Sequence, residues 1–160
     1  MSSPKIQRTI RNQASRPYRI ALFVEEGGGD WHAKRLKDAL QALGAEVRVT
    51  CLKYCAFDTR AKSGLCIPGF ENTLPDGVFV RSISTGTLEQ ITLRLGILHA
   101  LRERGVRVWN DARVIERCVD KSTATFLFQK AGLPVPLTRT AEGIVSAQKF
   151  LQDLNHPLVL

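Results

Sequence analysis

The chain has 160 residues, enough for one full hydrophobic core or for one domain and part of another. Apolar residues make up 44% and charged residues 24%, which is ordinary globular usage, and no run approaches the roughly 20 apolar residues of a membrane span. The net charge is +8, with four of those charges on Lys5, Arg8, Arg11 and Arg16; the body beyond them, near +4, suits anionic small molecules, and no basic run interleaved with aromatics speaks for nucleic acid.

Residues 1–18 read as a basic flexible tail. Their lack of acids also fits an organelle transit peptide, but the stretch is short and has no apolar periodicity. Ile20 to Val24 is too short for a signal-peptide core, so a cytoplasmic location is expected. The segment from Arg19 to Val24 is continuously apolar after its first residue, as in a strand buried on both faces. The loop Glu25-Glu-Gly-Gly-Gly-Asp30 follows it. That loop lacks the G-x-G-x-x-G spacing of a dinucleotide site, and its two acids would repel a pyrophosphate. A flexible substrate loop ending at Asp30 is the preferred reading, and a plain glycine-rich turn stays open. Asp30 also caps a helix striped by Leu36, Ala39, Leu40 and Leu43 and ended by Gly44. Trp31 reads as a core ring beside a solvated His32; an exposed ring stacking on a planar ligand is the alternative.

Glu46 to Cys51 alternates and reads as the second strand. Residues 52–75 show little periodicity, and so long a connection is commonly functional or mobile. Asp76 to Val80 is the third strand. Arg81-Ser-Ile-Ser-Thr-Gly86 follows its carboxyl end. Arg81 there can grip a carboxylate with two hydrogen bonds, with Ser82, Ser84 and Thr85 adding neutral ones. A surface arginine capping the next helix is the competing reading. Leu88, Ile91, Leu95 and Leu98 mark a long helix ended by Gly105, Val106 to Trp109 a fourth strand, and Asn110 or Asp111 the cap of a short helix holding Ile115 and Val119. Strand–helix alternation of this kind implies a doubly wound parallel sheet, an α/β fold of Rossmann-like type. The cysteines Cys51, Cys55, Cys66 and Cys118 match no zinc spacing and read as reduced thiols. No Ser/His/Asp or Cys/His arrangement stands out, no metal ligands are assigned, and no catalytic residue is named.

Asp120 caps the next helix, in which Ala124, Leu127, Phe128 and Ala131 share one face. Gly132, Pro134 and Pro136 stop it. Lys121 is the odd residue, because a cation in the first turn opposes the helix dipole and a bound anion would relieve the conflict. Beyond it, Val135 to Thr138 reads as a strand, Ile144, Ala147, Leu151 and Leu154 stripe a helix, and Leu158 to Leu160 begin a further strand.

The run Asp120-Lys121 through Gly132-Leu-Pro-Val-Pro136, in this order of elements, resembles the opening of the ATP-grasp fold. The likeness is closest to RimK-like glutamate ligases and more distant to glutathione synthetases. It covers nearly all of the chain past the tail. It implies a pre-ATP-grasp domain over 19–116 and the beginning of an ATP-grasp domain over 117–160, an incomplete α+β A subdomain. By the same resemblance Lys121 contacts ATP and Arg81 faces the amino-acid or peptide acceptor; Ser82, Ser84 and Asp30, from their places at the strand ends, are assigned beside it as substrate-binding residues. The implied chemistry joins a carboxylate to an amine with ATP and Mg2+, adding glutamate to a protein, peptide or cofactor. Relatives are often dimers or tetramers. The family's magnesium carboxylates and second lysine are expected past residue 160, so the chain reads as the front of a longer ligase that has no turnover alone. The alternative is a self-contained, non-catalytic flavodoxin-like or nucleotide-binding regulatory module.

Overall fold

A computed structural model describes residues 16–27, 30–71 and 73–152, and the chain divides into two compact units after Trp109. The first unit is built on four parallel strands: β1 (Arg19–Phe23), β2 (Glu46–Thr50), β5 (Gly77–Val80) and β6 (Arg107–Trp109). Their order in the sheet is β2-β1-β5-β6. Between them run α1 (Trp31–Ala42) and α2 (Leu88–Glu103). The chain steps from β1 to β2 in one direction and from β5 to β6 in the other. Right-handed crossovers therefore put the two helices on opposite faces.

Alternation along β1 sorts the core. Ile20, Leu22 and Val24 join Val47 and Ala33 on one face, with Leu36, Leu40 and Phe79 packed against them. Ala21 and Phe23, in register with Val78 and Val80, point to the other face and are buried. Ile97, Leu98 and Leu101 of α2 are buried as well. The stripe of α1 is narrower than its sequence suggests. Ala33 is buried and Leu36 and Leu40 are half-buried, while Ala39 and Leu43 face solvent because they lie past the edge of the sheet-facing arc. Trp31 is 67% exposed, which corrects the core reading: it is the first helical residue and projects beside the loop, not onto the sheet. In α2, Leu88 is exposed and the buried line passes instead through Arg94, Ile97, Leu98 and Leu101.

The described part of the long connection from β2 to β5 has structure of its own. It holds a 3-10 turn at Leu52–Tyr54 and a small hairpin of β3 (Ala56–Phe57) and β4 (Leu65–Cys66). It buries Leu52, Cys55, Leu65, Ile67 and Phe70, so apolar anchors fix a segment that shows no period of its own. All four cysteines are free thiols, and burial pushes the Cys55 thiol up to about 12.

The second unit contains α3 (Ala112–Val119), α4 (Lys121–Lys130) and α5 (Ile144–Gln152). Asp111 and Asp120 cap the first two. The Val135–Thr138 strand does not form: Pro134 and Pro136 lack ladder donors, and the described residues of this unit contain no strand to pair with. No residue of α4 or α5 is fully buried, so the apolar stripes at Phe128 and Ile144 lie open. Leu154 and Leu158–Leu160 fall outside the described residues.

Asp76 joins the starts of β1 and β5. It accepts hydrogen bonds from the Arg19 backbone N–H (2.7 Å) and from both terminal nitrogens of Arg16 (2.7 and 2.9 Å). The Arg16 guanidinium, then the Arg19 N–H, hold its carboxyl below the ordinary aspartate range. A depressed carboxyl stabilises the fold above its unfolded pKa, and the contribution disappears as pH falls through the folded value. Asp76→Asn is expected to cost about 1–2 kcal/mol near neutral pH, with the gap to wild type closing below about pH 4. Urea unfolding at the two pH values measures it, and an equal gap at both would remove the ionic cause.

Candidate functional site

The strand order reverses at β1. The chain leaves β1 for β2 on one side and returns through β5 on the other, so the carboxyl ends of β1 and β5 flank a crevice. Open parallel sheets bind ligands at such a switch point. Here the crevice is edged by the loops after Phe23 and after Val80 and by the turn after β2.

Hydrogen bonds lock these loops together. The Ser82 hydroxyl accepts the Glu25 N–H (3.0 Å) and the Ser84 hydroxyl accepts the Glu26 N–H (3.2 Å). Ser84 Oγ also lies 3.4 Å from Cys51 Sγ. Arg81 reaches across the crevice to Asp30, Nη2 to Oδ2, at 2.8 Å, and lies 3.4 Å from His32 Nδ1. The other Asp30 oxygen accepts the Ala33 N–H at 2.6 Å and caps α1. Asp30, Arg81, Ser82 and Ser84 are therefore brought together. Arg81 and Asp30 neutralise each other, and both serine hydroxyls act as acceptors toward the β1 loop.

The fold brings four further residues, Glu26, Lys53, Tyr54 and Arg94, to the crevice. Glu26 receives Lys53 Nζ on Oε2 and the Tyr54 hydroxyl on Oε1, each at 2.5 Å. Lys53, then Tyr54, pull the Glu26 carboxyl below its ordinary range, and Glu26 raises Lys53 in return. Arg94, only 5% exposed, donates from Nη1 to the carbonyls of Ser84 (2.5 Å) and Thr85 (3.3 Å). Its charge also acts on Glu26 and Lys53. Thr87 and Gln90 close a capping box at the start of α2. A Cβ on Gly86 would stand 2.5 Å from Gln90 Oε1 and 3.1 Å from Arg94 Nη1, so a larger residue here would displace the Gln90 side chain from the capping box. The sequence signals were present. Arg94 is a charged residue on the apolar face of a helix, and Lys53-Tyr54 follows a strand's carboxyl end.

Lys121 belongs to the second unit and sits at the first position of α4. Its ammonium donates to the Cys118 carbonyl at 3.2 Å, in the last turn of α3. The negative end of one helix thus relieves the conflict with the dipole of the next. Among the described residues, no three His, Cys, Asp or Glu side chains gather as a metal site, and no helix is long and apolar enough to cross a membrane.

Two known proteins resemble the chain. The chain shares its fold with an ATP-grasp ligase, PsnB, solved with minimal precursor, Mg and ADP: TM-score 0.58, 19% identity, covering 86% of this chain and 50% of that one. In sequence, the chain is 35% identical over 72 residues to the tetrahydromethanopterin:alpha-L-glutamate ligase of Methanosarcina acetivorans. That stretch is 45% of this chain and 22% of the relative, so the chain matches about a fifth of the curated relative's length. No family profile matches. The resemblance to RimK-like ATP-grasp ligases thus stands on two likenesses, one of fold and one of sequence.

Arg94→Met should leave the Ser84 and Thr85 carbonyls unpaired. A loss of about 2–3 kcal/mol in denaturant unfolding is expected, with faster amide exchange over residues 82–87. An unchanged exchange rate there would show that Arg94 does not hold the loop.

Proposed function

We propose that the chain is the N-terminal portion of an ATP-dependent carboxylate–amine ligase that attaches glutamate to an acceptor. The observation that carries this reading is the 35% identity to a glutamate ligase, supported by the ATP-grasp fold of the PsnB neighbour. In such a reaction a substrate carboxylate takes the γ-phosphoryl of ATP to become an acyl phosphate. An amine nitrogen then displaces the phosphate and leaves an amide. A protein accelerates this by positioning and by neutralising charge.

The residues have divided tasks in this proposal. The crevice of the first unit takes the acceptor, with Arg81 freed from Asp30 by an incoming carboxylate and Ser82 and Ser84 donating their hydroxyl protons. Lys121 takes the nucleotide phosphates. It fits that task, since its ammonium is exposed and needs to exchange only one carbonyl for a phosphate oxygen. Mg2+ would be supplied with the nucleotide, and no ligands for it are assigned among the described residues. A first domain over 19–116 and an ATP-grasp start at 117, a cytoplasmic location and self-association go with the same reading. The acceptor is a protein, a peptide or a cofactor. No observation favours the non-catalytic regulatory module.

In the ligase that carries this segment, Lys121→Ala is expected to weaken ATP binding by about 1–3 kcal/mol while leaving the thermal melt unchanged. Calorimetric titration with ATP and magnesium measures the first effect. A well-folded variant with wild-type ATP affinity would return Lys121 to an ordinary surface lysine.

A further inference from the structure

We propose that Lys53, Tyr54 and Arg94 form a carboxylate-binding site, and that the Glu26 side chain is its internal occupant, displaced when a substrate carboxylate binds. Four observations carry this. The groups that converge on Glu26 are all donors: an ammonium on one oxygen and a phenol hydroxyl on the other, both at 2.5 Å, with the Arg94 charge acting on the same carboxylate. An ionised carboxylate is acceptor-only and matches such a set. The second observation is exposure. Glu26 and Lys53 side chains are each 47% exposed, so their pairing contributes little to folding and exchanges readily with a ligand from solution.

Third, the backbone and side chain of Glu26 are anchored separately. The Ser82 and Ser84 hydroxyls hold the N–H groups of Glu25 and Glu26, and Gly27 takes φ +77° directly after. The carboxylate can therefore swing away while the main chain stays in place. Fourth, there is room. A cleft of about 320 Å³ borders Glu25, Glu26, Lys53, Ser84 and Arg94, and Tyr54 lines a second hollow that shares Glu25 and Glu26 with it. The cleft has space for about ten waters at ~30 Å³ each, the size class of a five-carbon amino acid. With Glu26 withdrawn, Lys53 and Arg94 outnumber Glu25 and the cleft becomes net cationic. Calling the ligand a substrate of ligation rests on the ligase reading above; the binding itself does not.

The test uses the 160-residue chain without ATP, titrated with glutarate, L-glutamate or inorganic phosphate and followed by amide chemical shifts. Glu26→Gln is expected to bind glutarate and L-glutamate roughly tenfold tighter than wild type, the scale of one charge-assisted hydrogen bond. Adding Lys53→Met to that variant should abolish the gain, and Tyr54→Phe should reduce it several-fold, about one neutral hydrogen bond. Equal affinity of wild type and Glu26→Gln would overturn the proposal. So would a gain that survives Lys53→Met, or a phosphate gain as large as the glutarate gain. No step of this titration involves ATP or Lys121. Failure here therefore leaves the ligase reading standing, and failure of the Lys121 titration leaves this site standing.

Discussion

The pairing of β1 on both sides governs the rest of the first unit. With β2 on one edge and β5 on the other, β1 has no exposed ladder, and Ala21, Leu22 and Phe23 are fully buried. Central placement forces the chain to wind outward in two directions. The hand of the crossovers then sends α1 and α2 to opposite faces. Both loops that leave β1 and β5 must diverge at their carboxyl ends, and that divergence is the crevice. A strand at the sheet edge could not create it.

What fills the crevice is governed by charge compensation. Three cations there have internal partners: Arg81 has Asp30, Lys53 has Glu26, and Arg94 has two backbone carbonyls. The first two pairs are substantially solvent-exposed, the third is buried. Exposed pairs are weak and exchangeable, whereas a buried cation that loses its acceptors is costly. Arg94 therefore shapes the 82–86 loop, and the exposed pairs are the ones a ligand can open. Gly86 completes the arrangement, since its missing Cβ lets the capping box and the buried guanidinium share one turn.

Much of this was legible in the chain. The alternation of apolar strands with capped helices gives the parallel sheet, and Asp30, Asp111 and Asp120 cap the helices they precede. Arg81, Ser82 and Ser84 are found at the crevice because a parallel sheet presents its strand ends there. The hairpin between β2 and β5 was not legible. Its anchors Leu52, Leu65, Ile67 and Phe70 follow neither helical nor strand period, and only the tertiary surface they cover fixes them. Lys53, Tyr54 and Glu26 were hidden for the same reason, because 27 residues separate the two ends of their ion pair. The Val135–Thr138 strand failed in the opposite sense. Its residues favour extended chain, but extension becomes a strand only when a neighbour supplies donors and acceptors.

Lys121 shows how a local conflict can be settled without a ligand and still be useful to one. Read alone, a lysine at the first position of α4 asks for an anion. In the fold, α3 ends one residue before α4 begins, so the Cys118 carbonyl is within reach and the ammonium rests there at 3.2 Å. That carbonyl is a single neutral acceptor on an exposed helix end. In the proposed role a phosphate brings several charged oxygens to the same point, beside the backbone N–H groups of the α4 first turn. Asp120 occupies two of those N–H groups, accepting from Ser122 at 2.9 Å and Thr123 at 3.1 Å. In the nucleotide role proposed for Lys121, the ammonium rather than the helix terminus is therefore the group left to meet a phosphate.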